Sequence, residues 1–562
     1  MHYRISFDQA TTHYLTIALS FTTSVEHPVL YLPAWRPGRY QIQNFAKRIK
    51  NVRAFQSDSP IEVRKTSKDS WQLRSEPVAD GSPCIYKVVY QYFAFAMDAG
   101  NSWLDDEQLY LNFINCALYT EEGLTQRQQV DLVLPDNYKV ATGLEHLGKH
   151  TFEAPSYYQL VDSPLMASSS LRQISYRSRG SEFHLWIQGE LPKTDESVIE
   201  DFQAFTDLQI DVMGEFPCEE YHFMFQCLPY KHYHGVEHWN STMITIGPAE
   251  QLKERPLYKE FLGVSSHELF HTWNVIRLRP REMTPYDFQR ENYHETGFVT
   301  EGVTTYYGDL FLGRSGVFSH EEYLSELNKL LQRHYDNPGR LNYSVADSSY
   351  DLWLDGYERG IPGRKVSIYN EGALAALILD LKIRQKYEHK KSLDDVMRLM
   401  WERHGKDRSG YTYDDYQQAA ETVFGESLSE YFEEIVSGTR PYEDYLAPLI
   451  KWLGLSFDVS YPDSPEQHSY GIKIAKGRDH YVVDRLAPGT NAEGLLSEQD
   501  IVLKINGKDF KGEWPEDGKV ILDINRFGRN LTVEVEPENE GQFGIYQVSI
   551  AEAVEFRKWL GS

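Results

Sequence analysis

The chain has 562 residues, long enough for several hydrophobic cores at a soft prior of roughly one domain per 150 residues, and three domains are expected. Charged residues make up 25% and hydrophobic ones 41%, the balance of a globular protein and not of a disordered one. Against 83 Asp+Glu stand 57 Lys+Arg, a net charge of −26 that repels nucleic-acid phosphates and anionic membrane surfaces, so neither is an expected partner.

Up to about Ser175 the sequence runs in short alternating or β-branched stretches broken by Pro, Gly and Asp, which predicts an all-β sandwich or saddle over 1–175. Cys84 and Cys116 fall here, Cys218 and Cys227 later; with no C-x-x-C spacing the four suit neither a disulfide framework nor a thiolate zinc cage. A helical period follows over 196–216, then strands over 221–228 and 242–246 around a loop at 231–241. Helices are predicted over 257–273, 301–312, 320–334, 370–385, 392–404, 413–424 and 429–436, many bounded by Gly or by Ser/Asp caps. The expectation for 176–455 is therefore an α+β catalytic domain with a helical lobe.

Strands return over 456–562, at 471–474, 480–485, 501–505 and 531–535, as a small β-rich module. The first eight residues lack the apolar core of a signal peptide, and the longest apolar stretch, near 372–381, is too short to span a bilayer. A cytoplasmic location is expected.

The most informative segment is His267-Glu268-Leu269-Phe270-His271. Residues four apart project from one face of a helix, so two imidazoles can converge on one ion while Glu268 points beside it. Flanking apolar residues bury this helix, and buried neutral histidines need partners that a metal supplies. A catalytic zinc takes one more protein ligand and keeps an open position. Glu301, at the start of a later predicted helix, is the choice; His294 and Glu295 are rivals that lie nearer in sequence but in an irregular stretch.

With its extension through Thr272-Trp273-Asn274-Val275-Ile276-Arg277-Leu278-Arg279-Pro280, this segment resembles the zinc motif of the glycyl aminopeptidase family, gluzincin metallopeptidases that carry a C-terminal PDZ domain. Trp35-Arg36-Pro37-Gly38, Gly235-Val236-Glu237-His238 and Tyr369-Asn370-Glu371-Gly372-Ala373-Leu374 support the resemblance. It implies a thermolysin-like catalytic domain, one zinc per chain on His267, His271 and Glu301, and Glu268 as general base. It further implies Tyr369 as an oxyanion donor, where the related aminopeptidase N group has Tyr-x-Lys-Gly. Gly235 and Glu237 loosely resemble the loop with which that group holds a free amino terminus. Beyond residue 456, Val482 to Leu495 followed by Asp500-Ile501-Val502-Leu503-Lys504-Ile505-Asn506-Gly507 looks like a PDZ domain, which binds peptide C-termini by strand addition.

The resemblance implies an aminopeptidase acting on peptides with small N-terminal residues such as Gly or Ala. Two alternatives stand beside it: a zinc endopeptidase of narrow specificity, and a non-catalytic PDZ-carrying peptide-binding protein.

Overall fold

The computed structural model describes residues 1–76, 82–358, 360–516 and 518–561. Contacts divide the chain into two units, one comprising Met1–Tyr323, Ser344–Gly360 and Ser367–Gly438, the other Leu324–Tyr343, Ile361–Val366 and Thr439–Ser562.

The first unit begins β-rich. A ten-stranded sheet is built around the antiparallel pair Tyr14–Thr23 and Cys84–Phe93, in register at Ile17 and Tyr90. Both strands alternate buried and less buried positions, the period-2 pattern of a sheet with one covered face. A four-stranded sheet follows the order Lys139–Thr142, Leu165–Ser168, Gln108–Leu111, Trp103–Leu104.

Next comes a mixed five-stranded sheet of β1 (Arg172–Ser178), β2 (Ser181–Gly189), β3 (Glu220–Cys227), β4 (His232–His238) and β5 (Ser241–Gly247), in the order β1-β2-β3-β5-β4. Its interior strands are covered on both faces, which is why β5 is buried at every position. One face meets the four-stranded sheet, with Met224, Val236 and Met243 packed against Tyr110, Ala141 and Met166. The other meets α1 (Asp195–Met213) and α2 (Arg255–Phe270), where Phe202 stands edge-on to Phe223 at 5.1 Å and Phe261 lies 4.7 Å from Phe225. β4 is the sheet's edge.

The segment 231–241, expected to be a loop, is thus mostly strand. Its alternation is hidden because the positions that turn inward include Glu237 and His238 beside Val236, polar groups buried at 4% and 5% exposure. The helical lobe follows as expected: α3 (Thr304–Arg314) and α4 (Ile368–Tyr387), and further helices such as Tyr413–Phe424, which carries a Thr412 capping box and stops at Gly425.

The second unit holds a sheet of Ile472–Lys476, Tyr481–Leu486, Ile501–Ile505, Val520–Arg526 and Arg529–Val535 in that order, with Lys508–Asp509 paired to the third strand. Tyr470, Val483, Leu522 and Ile524 lie in its core. Among the described residues no helix is long and apolar enough to cross a membrane.

Candidate metal centre

The site is assembled on α2. His267 lies in its last turn and His271 caps its C-terminus, and their Nε2 atoms stand 3.0 Å apart. The His271 Nδ1 lies 2.7 Å from the Asn274 carbonyl, to which it donates, so Nε2 is the nitrogen turned toward His267 and Glu301. Glu301 presents its Oε2 3.4 Å from the His271 Nε2 and 3.8 Å from the His267 Nε2. These three donors fall within 4.8 Å of one another. Glu301 sits in a π-helical turn, Phe298–Val303, that leads into α3. Such turns concentrate at functional sites because the widened helix re-aims a side chain. The two rivals do not join the cluster: Glu295 is exposed, and His294 is buried with its ring 5.5 Å from that of Tyr40.

Hydrogen bonds from one side-chain amide tie the halves of the centre together. Asn274, whose carbonyl fixes His271, donates from its side-chain amide to the Val299 carbonyl at 2.8 Å and to the Thr304 hydroxyl at 3.0 Å. Both lie in the segment that carries Glu301.

Glu268 and Glu237 complete a second group with His271, again with one ligand atom from each within 4.8 Å. Burial pushes the Glu268 carboxyl well above its usual range, against the pull of His271 and with the push of Glu237 and Glu301. Burial raises Glu237 as well, opposed by His271. The Glu268 Oε2 and the Glu237 Oε1 are buried with no hydrogen-bond partner among the described residues. His267 is pushed far down by burial and by its neighbour His271. On His271 burial opposes a charge, but Glu301 outweighs it and holds the imidazole up at about 10.

Gly235 lies on β4 against Glu268: a Cβ there would stand 2.3 Å from the Glu268 Oε1, so only glycine lets strand and carboxylate approach this closely. Tyr369 is in the first turn of α4, with its hydroxyl 3.4 Å from that of Tyr357. Tyr357 also accepts the Tyr40 backbone N–H at 3.4 Å, and the Tyr40 hydroxyl reaches the Glu301 Oε1 at 3.5 Å. Burial pushes the Tyr369 phenol well up, with Glu301 and Tyr357 adding to it, so it remains a proton donor across the working range.

Three residues of this site were not singled out from the sequence. Tyr40 and Tyr357 form the phenol chain with Tyr369. Arg36, 2% exposed, places its Nη2 3.3 Å from the His234 Nε2, and its charge is felt at Glu268. Trp35-Arg36-Pro37-Gly38 was legible as a segment of interest, but nothing in it announces a reach to β4.

The donor set fits a zinc ion. Two imidazoles and one carboxylate within reach of one ion, a second carboxylate beside them with an unpartnered oxygen, and a carbonyl fixing the tautomer of one imidazole are the requirements of a catalytic zinc site.

Residues 2–169 match the model of the Peptidase M61 N-terminal domain, and residues 260–375 that of the M61 glycyl aminopeptidase. The crystal structure of an aminopeptidase N family protein from Idiomarina loihiensis shares the fold, with a TM-score of 0.90, 24% identity, and coverage of 100% of this chain and 99% of that one. An M1 zinc metallopeptidase from Deinococcus radiodurans gives a TM-score of 0.47 at 12% identity, and a mutant bound to a Tyr-Ser-Ala substrate gives 0.49 at 14%; both cover 78% of this chain and 94% of theirs. No curated protein matches the sequence.

Proposed function

From the premise that this chain, with its two Peptidase M61 domains, is a metallopeptidase that hydrolyses peptide bonds, we propose that it is a zinc-dependent aminopeptidase of gluzincin type. His267, His271 and Glu301 would hold one zinc per chain, and the catalytic fold around them is read as thermolysin-like. A bound zinc would polarise the scissile carbonyl and make water easier to deprotonate.

The chain's own residues do the rest. Glu268 takes the proton of the attacking water on its Oε2, the oxygen with no partner among the described residues, and passes it to the leaving amine. Tyr369 donates its phenolic hydrogen to the oxyanion of the tetrahedral intermediate, and Tyr357 and Tyr40 hold that phenol in place.

The observation that carries the exopeptidase reading is Glu237. It is 4% exposed on an edge strand, grouped with Glu268 and His271, and one of its oxygens has no partner among the described residues. A buried unpaired carboxylate is costly, and a substrate α-ammonium is the counter-charge that would relieve it. The edge of β4 beside Gly235 then receives the substrate backbone by strand addition. A preference for small N-terminal residues such as Gly or Ala follows the family that residues 260–375 match. In the second unit, the strand from Ile472 and the preceding Ser469-Tyr470-Gly471 turn support a PDZ-like reading with a peptide C-terminus as ligand.

The test is cleavage of glycyl and alanyl anilides beside their N-acetylated forms, with chelator treatment and Glu268→Gln as controls. An aminopeptidase cleaves only the free-amine forms and loses activity under both controls. Equal cleavage of the acetylated forms would instead make the enzyme an endopeptidase and remove Glu237 from its role.

A further inference from the structure

Arg277, Arg279 and Arg408 line one cavity of about 180 Å3, together with Asp162, Trp239 and Tyr286. The Arg277 Cζ lies 4.1 Å from the centroid of the Trp239 ring and the Arg408 Cζ 5.3 Å from the same centroid, while the Arg279 Cζ lies 3.9 Å from that of Tyr286. Two like charges thus share one indole.

Arg277 is only 6% exposed. Its N–H groups go to the carbonyls of Trp239 and Thr272 and to the Cys218 sulfur, and those of Arg279 to the carbonyls of Val275 and Ile276. Neutral acceptors satisfy the donors without neutralising the charges; Asp162 is the one carboxylate that acts on Arg277, and burial outweighs it. Among the described residues none of the three arginines has a carboxylate within 4.0 Å. Asp162 is the one acidic residue lining the cavity, and its Oδ1 is already 3.0 Å from the His238 Nδ1. Arg408 is held at φ +56°, in the left-handed region that non-glycine residues seldom occupy. In a chain of net charge −26, three guanidinium groups against one carboxylate are a local inversion of sign.

We propose that this cavity is a carboxylate-binding site distinct from the metal cluster. The guanidinium fork matches a carboxylate, and the aromatic walls suit a short apolar body behind it. The volume admits a Glu-sized side chain or a small dicarboxylic acid. His238 and Trp239 follow Glu237 directly in the chain, so the cavity adjoins the proposed amine anchor. The carboxylate can come from an acidic N-terminal residue of a peptide or from a free organic acid; the first form rests on the aminopeptidase reading, the second does not.

The experiment is calorimetric titration of the full-length protein with glutarate, with uncharged glutaramide as control, repeated in Arg279→Gln and Arg408→Gln. Glutamyl and alanyl anilides are compared in the same proteins. Saturable glutarate binding, absent with glutaramide and weakened roughly tenfold by either substitution, supports the site. A fall in the glutamyl-to-alanyl ratio of kcat/KM in the variants assigns the carboxylate to substrate; an unchanged ratio with glutarate bound assigns it to a free acid. No saturable glutarate binding together with an unchanged ratio overturns the proposal, as does glutarate binding indifferent to both substitutions. Calorimetry reads the site even if no anilide is cleaved, so failure here and failure of the peptidase reading are separable.

Discussion

Gly302 and Gly372 meet backbone to backbone: a Cβ on Gly302 would lie 2.4 Å from the Gly372 Cα, and one on Gly372 2.8 Å from the Gly302 Cα. Each glycine is next to, or close to, a residue of the site, Glu301 on one segment and Tyr369 on the other. The crossing of the π turn over α4 therefore sets the distance between the proposed third ligand and the proposed oxyanion donor.

Gly302→Ala forces these segments apart, because backbone atoms, not flexible side-chain ends, occupy the space a methyl would need. Overpacking of this kind costs about 1–3 kcal/mol, readable as a lower urea midpoint. A displacement on the order of 1 Å at Glu301 or Tyr369 is expected to lower kcat/KM by ~10²-fold, measured on an alanyl anilide. An alanine at 302 with unchanged turnover would show that the crossing does not position the site.

Asn274 makes a different test, since it touches neither proposed ligand with its side chain. Its amide holds Val299 and Thr304 while its backbone carbonyl orients His271. Asn274→Ala leaves His271 and Glu301 in place chemically but uncouples the segments that carry them. We expect zinc affinity to fall, by no more than the ~10–100-fold that losing a direct hydrogen-bond partner of a ligand costs, in competition titrations against a chromogenic chelator. The carbonyl of residue 274 persists in the variant, so the loss reports the amide's bonds alone.

These relationships show what the chain spells out and what it does not. His267, Glu268 and His271 are legible because an interval of four is itself a statement about one helix face. The helix Tyr413–Phe424 is legible at both ends because Thr412 and Asp415 cap its start and Gly425 stops it. Glu301 could be chosen, but not the π turn that aims it, because an extra residue in a helical turn leaves no periodic trace. β4 was hidden for a reason tied to its use: an edge strand that buries Glu237 and His238 lacks the apolar alternation by which strands are recognised. Tyr40 and Tyr357 are two of 38 tyrosines, and no local pattern joins residue 40 to residue 301 across the fold.

The phenol chain gives graded expectations. Tyr369→Phe removes the proposed oxyanion donor and is expected to cost ~10²–10³ in kcat with KM little changed. Tyr357→Phe keeps that donor but deletes the hydroxyl 3.4 Å from it and the acceptor of the Tyr40 N–H. It should cost less than Tyr369→Phe, and the double variant should cost no more than Tyr369→Phe alone, because the second residue acts only through the first. Steady-state kinetics on all three proteins decide this; additive losses would give Tyr357 a contact of its own with the substrate.

Buried histidines outside the proposed ligand set contribute to how stability responds to acid. His222, 7% exposed, accepts a hydrogen bond from the Trp186 indole at 3.1 Å, and burial with the neighbouring His184 and His146 pushes it down to about 3. Burial alone pushes His294 down to about 4. In the unfolded chain both titrate near 6.5. Above that value neither state binds the proton, and their contribution to stability is complete. Between about 6.5 and these folded values the unfolded chain binds a proton that the folded chain refuses, so stability falls as pH falls. At pH ~5 the loss is on the order of 2 kcal/mol for each histidine. His222→Gln keeps an acceptor for Trp186 and cannot be protonated, so the difference in urea unfolding free energy between wild type and variant isolates its share. That difference should shift in favour of the variant by about 2 kcal/mol between pH ~7 and ~5. A difference independent of pH would mean that His222 takes up its proton in the folded protein too.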